Sequence, residues 1–323
     1  MCTAITYKTD DSYFGRTLDG CFSFGEEIVI TPRRFPFIFR NKSEIKSHYA
    51  IIGTALVKNN YPLYFDSANE YGLAMAGLNF PENAVYYPEA DNKDNIPPFE
   101  FIPWVLSQCK NLDEARKLLR RINLWNISFC EGLPLSPLHW IIADKENSIT
   151  VESLKDGIKI YENPIGVLTN NPVFDYHMSN LAEYVNLTNG VPENRFSDIP
   201  LKLHSLGFGA KGLPGDNSSS SRFIRAAFNK AFSDKVSGEN ESVGQFFHIF
   251  GSVCQVKGCT KINELENMFT QYTSCINLDK GIYYYTTYSD RCISAVYMNN
   301  CNLDRTELIK YPFEKNQFIN VQN

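Results

Sequence analysis

The chain begins Met1-Cys2-Thr3-Ala4-Ile5-Thr6-Tyr7, in which β-branched and aromatic residues alternate with Ala4 and Thr6. This alternation predicts a β-strand that starts at the second residue. Asp10-Asp11-Ser12 is typical of a turn, and Tyr13-Phe14-Gly15-Arg16 begins a second strand. Because strands joined by a short turn usually pair with each other, we expect Cys2 and Arg16 on adjacent strands.

The rest of the chain alternates between groups of strands and groups of helices. Further strands are predicted where β-branched and aromatic residues cluster, at residues 27–31, 49–53, 72–79, 140–143, 148–152, 158–161, 166–169, 281–287 and 293–297. Helices are predicted at residues 99–109, after the N-cap Asn111, and at residues 222–228 and 243–253. This order predicts one α+β domain over residues 1–323, with sheets sandwiched between helix layers.

Two local signals refine this description. Asp156-Gly157 predicts a hairpin between the strands on either side of it. Residues 186–221 are polar and rich in Gly, Pro, Ser and Asn, which predicts a long loop. Loops of this length in a compact domain are usually functional or part of an assembly contact.

The composition is that of an ordinary globular protein, since 43% of the 323 residues are apolar and 21% are charged. A net charge of −5 offers no general electrostatic reason to bind nucleic acid. The start of the chain has no basic region followed by an apolar run. The longest apolar stretch, residues 49–57, is far shorter than the roughly 18 residues that span a bilayer. We therefore expect a cytoplasmic protein with no membrane partner.

The nine cysteines agree with a reducing compartment, because an odd number cannot all pair within the chain. None forms a Cys-x-x-Cys motif, and Cys254 and Cys259 are too far apart for the usual zinc pair. We expect most of these residues to be buried free thiols, and we expect no metal site.

Cys2 is the most informative residue of the sequence. Removal of Met1 in front of a small second residue would make this cysteine the N-terminus. A thiol and a free α-amine on one residue form a nucleophile with its own base. The alternative is that Cys2 has no catalytic role, because many cytosolic proteins happen to have a cysteine at position 2.

The segment Gly15-Arg16-Thr17-Leu18-Asp19 favours the first interpretation of Cys2. Positive charge on Arg16 would stabilise a thiolate nearby, and Asp19 would hold the α-ammonium group. Taken alone, the same two residues are also typical of a surface Arg–Asp pair, which contributes about 0–1 kcal/mol.

Two predicted strands end in asparagine, at Asn79 before Phe80-Pro81 and at Asn170 before Asn171-Pro172. Acyl transfer needs neutral donors aimed at a developing oxyanion, and backbone N–H groups or asparagine amides serve this purpose. The alternative is ordinary turn chemistry, because asparagine is common where strands end.

Together these segments resemble the choloylglycine hydrolases, the family of bile salt hydrolases and penicillin V acylases in the N-terminal-nucleophile class. The resemblance covers essentially the whole chain. The matching motifs occur in the family's order: Met1-Cys2-Thr3, Phe14-Gly15-Arg16-Thr17-Leu18-Asp19, Ala76-Gly77-Leu78-Asn79-Phe80, Pro134-Leu135-Ser136-Pro137-Leu138-His139-Trp140, Gly166-Val167-Leu168-Thr169-Asn170, Gly212-Leu213-Pro214-Gly215-Asp216, Ser221-Arg222-Phe223 and Tyr283-Tyr284-Tyr285.

The resemblance implies a four-layer αββα sandwich and amide hydrolysis without a metal or cofactor. It implies that Cys2 is nucleophile and base, with Arg16 and Asp19 beside it. The Asn79 backbone N–H and the Asn170 side chain would form the oxyanion hole, and Arg222 would complete the polar cluster. The family is typically a homotetramer, and its assembly loop matches residues 186–221.

The implied substrate has a large apolar acyl group joined to a small polar amine, as in bile salts conjugated to glycine or taurine. The resemblance suggests six pocket residues: Leu18, Phe24, Phe65, Phe129, Leu133 and Leu138. Asn79 favours bile salts over penicillin V, because penicillin V acylases commonly have Tyr there. The sequence departs from many relatives at Gly20-Cys21, where an aromatic and an acidic residue are common.

Three other functions stay open at this point. The protein could prefer penicillin V or another N-acyl amide as its substrate. A Cys-His hydrolase is a second enzyme class, although none of the five histidines shows a local signature with a cysteine. A steroid-binding protein on the same fold would require Met1 to remain in place or Cys2 to be inactive.

Overall fold

The computed structural model describes residues 1–41 and 43–323. The strands are β1 (Cys2–Lys8), β2 (Ser12–Gly20), β3 (Glu27–Thr31), β4 (Phe37–Ile38), β5 (Glu44–Ile45), β6 (Ile51–Lys58), β7 (Tyr61–Asn69), β8 (Ala74–Asn79), β9 (Asp94–Ile96), β10 (Ile122–Leu124), β11 (Leu138–Ala143), β12 (Ser148–Leu154), β13 (Gly157–Glu162), β14 (Val167–Leu168), β15 (Thr260–Lys261), β16 (Asn267–Asn277), β17 (Ile282–Thr287), β18 (Ser294–Tyr297) and β19 (Ile309–Pro312). The helices are α1 (Pro98–Leu106), α2 (Leu112–Leu119), α3 (Phe174–Ala182), α4 (Ser219–Phe232) and α5 (Glu239–Gly251).

Most strands belong to two large antiparallel sheets. The first has seven strands in the order β14-β1-β2-β16-β17-β18, with β15 paired to β16. The second has eight strands in the order β13-β12-β11-β8-β7-β6-β3-β19. β1 and β2 are therefore interior strands of the first sheet, and β8 is an interior strand of the second.

The two sheets face each other, and helices cover their outer faces. Successive side chains of a strand point to opposite faces, so each strand of the second sheet contributes to two cores. On β11, Ile141 packs toward the first sheet, whereas Trp140 and Ile142 pack toward α1 and α2. Helices α4 and α5 pack on β1 and β16, and α3 packs on α4. The predicted α+β, helix–sheet–sheet–helix architecture is confirmed.

The helix predictions from capping chemistry are also confirmed. Asn111 caps α2 by accepting a hydrogen bond from the Glu114 backbone N–H. Ser218 caps α4, because its side chain accepts a hydrogen bond from the Ser221 backbone N–H. The helix therefore starts at Ser219, and the loop expected over residues 186–221 ends earlier than predicted. The hairpin near residue 156 exists, but its turn is one residue earlier, because Leu154 pairs with Gly157.

The predictions do not include helix α3 or the strands β4, β5, β7, β9, β10, β15, β16 and β19. Strands β7 and β16 lie in the middle of the two sheets, and both carry polar side chains that are buried among partners, including Asp66, Asn69 and Ser274. Alternation of apolar and polar residues does not identify such strands, because their polar residues face a core as well. Helix α3 follows the Asn171-Pro172 dipeptide, which was interpreted only as a strand end.

The expectation that most cysteines are buried is wrong. All nine are free, but only Cys2, Cys109 and Cys275 are buried. Among the described residues, no group of three or more His, Cys, Asp or Glu side chains could hold a metal ion. No helix in that part of the chain combines the length and the apolar character that crossing a membrane requires.

Glu100 on α1 predicts how the stability of the fold depends on pH. Its side chain is buried and accepts hydrogen bonds from the Arg40 backbone N–H. Burial raises the pKa of Glu100 to about 7 from its ordinary value of 4.5, although the Arg40 N–H and charge oppose the rise. In the unfolded chain the carboxyl ionises at lower pH, so folding takes up a proton between these values. Stability therefore falls as the pH rises through that window.

We expect Glu100→Gln to remove this loss. The free energy of unfolding of the variant minus that of the wild type should rise by about 2–3 kcal/mol from pH 5 to pH 8. Urea denaturation of both proteins at the two pH values measures this gain. Glu193→Gln, at an exposed carboxyl, should show no such change. An equal difference between wild type and Glu100→Gln at both pH values would contradict the assignment.

Candidate active site

Cys2 is the first residue of β1, and the sheet register brings its neighbours to it. The pairing of β1 with β14 opposes Ala4 and Leu168, so the same antiparallel ladder, extended by two residues, brings Asn170 opposite Cys2. The partner strand on the other side, β2, carries Arg16 opposite Ala4. The prediction that Cys2 and Arg16 lie on adjacent strands is confirmed.

Arg16 lies against the thiol. Its Nη2 atom is 2.5 Å from Cys2 Sγ, and its other N–H groups donate to three backbone carbonyls, those of Thr17, Phe65 and Gly77. Burial acts to lower the pKa of Arg16, but its acidic neighbours, Cys2 first among them, outweigh this effect and raise the pKa above its ordinary value. The guanidinium therefore stays charged beside the Cys2 sulfur.

The alternative of a surface Arg–Asp pair is wrong. Arg16 is fully buried and Asp19 is 4% exposed, and no ion pair joins the two in the described chain. A glycine permits this burial, because a Cβ at Gly15 would lie 2.0 Å from the Ser274 carbonyl oxygen on β16. By contrast, Gly20 has no positive φ, so its position at the end of β2 does not require glycine.

Arg222 and Asn170 form the other side of the site. Arg222 on α4 is fully buried; its Nη1 donates to Cys2 O and Thr3 Oγ1 at 2.6 and 2.7 Å, and its Nη2 donates to Asn170 Oδ1 at 2.8 Å. Burial lowers the pKa of Arg222. The Asn170 Nδ2 atom donates to the Asn79 carbonyl at 2.7 Å. This cluster joins the ends of β1, β8 and β14 to α4, and one N–H of the Asn170 amide is left for another acceptor.

Asp19 contacts the N-terminus through its backbone rather than its carboxylate. The Met1 amine donates to Asp19 O at 2.8 Å, and the Asp19 N–H donates to Met1 O at 2.9 Å. The carboxylate accepts hydrogen bonds from Thr270 Oγ1 and Gln255 Nε2. With Met1 attached, the Cys2 N–H donates to Asn170 Oδ1 at 2.8 Å, so the expected Asp19–nitrogen contact is absent from this form of the chain.

A cavity of about 370 Å³ opens beside the Cys2 thiol. Small-molecule sites commonly have volumes of roughly 300–1,000 Å³. Arg16 and Asp19 are the charged side chains of its described wall, and most of the other wall residues are apolar. All six side chains named from the sequence line it: Leu18, Phe24, Phe65, Phe129, Leu133 and Leu138. Sequence reasoning missed other wall residues: Phe22, Leu56, Leu63, Phe99, Ile102, Ile262 and Met268. Cys21 also lines the cavity.

Sequence reasoning also missed a buried carboxylate near Arg16. Asp66 on β7 accepts hydrogen bonds from the hydroxyls of Tyr272, Tyr283 and Ser274 at 2.5, 2.7 and 2.9 Å. The Arg16 backbone N–H donates to the same Ser274 oxygen at 3.1 Å. Burial raises the pKa of Asp66, whereas the Arg16 charge and these hydroxyls lower it. Asp66 thus connects the two sheets behind Arg16.

This arrangement has the parts of an acyl-transfer site. A buried thiol faces an apolar cavity, a guanidinium lies on the sulfur, and an amide N–H is available at the same strand ends. Such a site can form a covalent thioester with an acyl group and stabilise the oxyanion that precedes it.

Comparison with known proteins agrees with this chemistry. Residues 2–311 match the model of the linear amide C–N hydrolases, choloylglycine hydrolase family. A bile salt hydrolase/transferase of Lactiplantibacillus plantarum is 51% identical over 97% of both chains. A bile salt hydrolase/transferase of Clostridium perfringens is 41% identical over 100% of both.

A solved structure gives the same result for the fold. The C2A mutant of conjugated bile acid hydrolase from Clostridium perfringens superposes with a TM-score of 0.93 at 39% identity, and the match covers 100% of both chains. The expected N-terminal-nucleophile fold is therefore confirmed. The chain belongs to the choloylglycine hydrolase family of linear amide C–N hydrolases.

Proposed function

We propose that this protein hydrolyses the amide bond of glycine- or taurine-conjugated bile salts and releases free bile acid and amino acid. The observation that carries the proposal is the Cys2 thiol, held by Arg16 at the wall of an apolar cavity. A steroid acyl group suits such a cavity, since burial of apolar surface contributes roughly 25 cal/mol per Å². The full-length similarity to relatives named bile salt hydrolase/transferase supports the choice of substrate.

In the proposed mechanism, removal of Met1 frees the α-amine of Cys2. This amine takes the thiol proton, and the thiolate attacks the carbonyl carbon of the amide. The Asn79 backbone N–H and the Asn170 Nδ2–H donate to the resulting oxyanion. Arg16 stays beside the sulfur, and Arg222 donates to the Cys2 carbonyl and to Asn170 Oδ1. The ammonium then protonates the leaving nitrogen, the C–N bond breaks, and water hydrolyses the thioester.

Asp19 completes this proposal as the neighbour of the freed α-amine. In the chain that still carries Met1, the Asp19 backbone carbonyl accepts a hydrogen bond from the Met1 amine. Asp19 therefore lies next to the N-terminus. Leu18, Phe24, Phe65, Phe129, Leu133 and Leu138 would contact the steroid, because they line the apolar wall.

The second candidate is hydrolysis of penicillin V or another N-acyl amide, which would use the same residues. Asn79 favours bile salts, because penicillin V acylases commonly carry Tyr at the matching position. The test uses protein whose loss of Met1 is confirmed by intact mass. Release of glycine and taurine from conjugated bile salts is measured beside cleavage of penicillin V.

Faster release from bile salts is the expected result. Faster cleavage of penicillin V would keep the mechanism and overturn the substrate. Absence of cleavage by processed protein would reject both substrates and point to another N-acyl amide or to a steroid-binding role. Equilibrium binding of a conjugated bile salt would detect the binding role.

We further propose that residues 1–323 fold as one domain and assemble as a cytoplasmic homotetramer through residues 186–221. Large apolar side chains in this loop are exposed, among them Phe196 at 90% and Leu206 at 91%. Exposed apolar patches of this kind often mark protein interfaces. Sedimentation of the wild type and of a Phe196→Ser/Leu206→Ser variant tests the assembly, since the variant should sediment as a smaller species. Cell fractionation tests the location.

A further inference from the structure

Two buried histidines lie next to the candidate site and have no part in the proposed mechanism. His139 on β11 and His177 on α3 are both fully buried. Neither lines the cavity beside Cys2. Their surroundings point to a positioning role.

The two imidazole rings hold consecutive backbone carbonyls. His139 Nε2 is 3.0 Å from Thr169 O, and His177 Nε2 is 2.8 Å from Asn170 O. A ring nitrogen that faces a carbonyl oxygen at this distance must carry a proton, so both Nε2 atoms donate. Strand β14 ends at Leu168, so these two carbonyls lie just beyond the sheet ladder.

Each ring also stacks on an aromatic residue that follows another member of the polar cluster. The His139 ring lies 4.1 Å from the Phe80 ring at an interplanar angle of 5°, and Phe80 follows Asn79. The His177 ring lies 4.8 Å from the Phe223 ring at 13°, and Phe223 follows Arg222. The two histidines thus connect the Thr169–Asn170 backbone to the neighbours of Asn79 and Arg222.

The two rings differ in what their Nδ1 atoms contact. His139 Nδ1 is 3.0 Å from Glu152 Oε1, which already accepts the Phe174 backbone N–H. Both nitrogens of the His139 ring therefore have a partner, Glu152 on one side and the Thr169 carbonyl on the other. Burial lowers the pKa of His177 to about 4, so His177 is a neutral donor at neutral pH.

We propose that His139 and His177 are positioning residues that fix the Thr169–Asn170 backbone and thereby aim the Asn170 amide at the oxyanion. This inference rests on the proposed function of Asn170. Because neither ring lines the cavity, their loss should lower kcat and leave substrate binding nearly unchanged. A misplacement of about 1 Å at a reacting group can reduce the rate by about 100-fold.

The test uses His177, which carries no buried charge whose loss would strand a partner. His177→Leu removes the donor to Asn170 O, and we expect kcat on a conjugated bile salt to fall by about 10- to 100-fold with KM within about twofold. His177→Gln places an amide N–H near the Nε2 position, so we expect it to recover kcat to within about threefold of the wild type. Rates are expressed per mole of folded protein, measured from the near-UV circular dichroism signal, which corrects for unfolded protein.

His48→Leu is the matched control. His48 is also buried and also lies outside the cavity wall, and its ring nitrogens contact the backbone carbonyls of Tyr49 and Phe35, which do not belong to the polar cluster around Cys2. It should lower the melting temperature without changing kcat per folded molecule. Equal kcat losses in His177→Leu and His48→Leu, or no recovery in His177→Gln, would overturn the inference.

If His177→Leu fails to fold, His177→Asn replaces it. Its shorter amide stays polar but cannot reach Asn170 O, so kcat should fall while His177→Gln keeps it. Equal activity of the Asn and Gln variants would overturn the inference. A wild type that does not hydrolyse bile salts would instead reject the proposed function, so the two failures are distinguishable.

Discussion

Cys2→Ala should abolish hydrolysis of conjugated bile salts, with a loss of about 10⁴-fold or more in kcat. The change removes the only sulfur that Arg16 contacts among the described residues. Cys2→Ser should also be nearly inactive. A serine hydroxyl is a far weaker acid than a thiol, so the α-amine activates it much less in a site that holds a sulfur atom against Arg16. Release of glycine or taurine from processed protein measures both effects.

Cys21→Ala provides the matched control, because Cys21 lines the same cavity but does not contact Arg16 in the described structure. It should keep turnover within about threefold of the wild type. Unchanged inhibition by peroxide in this variant would dismiss a redox role for Cys21. Near-normal hydrolysis by Cys2→Ala, or a loss in Cys21→Ala as large as that in Cys2→Ala, would contradict the assignment of the nucleophile.

The fold could be predicted wherever one signal fixed an element. Alternation placed β1 and β2, and capping residues placed the starts of α2 and α4. The predictions failed at β7 and β16, because those strands bury polar residues such as Asp66 and Ser274 between the two sheets. Their polarity is balanced by partners from distant parts of the chain, and a local pattern does not contain this information.

In the candidate site, too, some residues could be predicted from the sequence and others could not. Cys2, Arg16, Asn79, Asn170 and Arg222 were named from motifs, and the structure joins them by hydrogen bonds. These motifs could not reveal how Asp19 contacts the N-terminus. Nor could they reveal His139 and His177, because an isolated histidine in a strand or helix carries no spacing signal and acts only through long-range contacts.

The state of the N-terminus should decide activity as completely as Cys2 itself. With Met1 attached, the nitrogen of Cys2 is a peptide N–H that donates to Asn170 Oδ1, and such a nitrogen cannot accept the thiol proton. Met1 also lines the cavity beside Cys2, where its amine and its carbonyl oxygen both form hydrogen bonds with the Asp19 backbone. A chain with a blocked N-terminus should therefore lack the base and present a partly filled cavity.

A short N-terminal extension that ends in a specific protease site directly before Cys2 tests this prediction. The uncleaved protein should be at least about 10³-fold less active than the processed wild type, since loss of the base alone typically reduces rates by about 10²–10⁴-fold. Cleavage that exposes Cys2, followed by intact mass, should restore full activity. The same extension after Asn323 should have no effect, because the residues at that end are exposed. Full activity in the uncleaved protein would contradict the α-amine as base and would favour a hydrolase that uses a separate side chain. Inactivity after confirmed cleavage would instead reject the amidase, because the proposed nucleophile and base would both be present and unable to act.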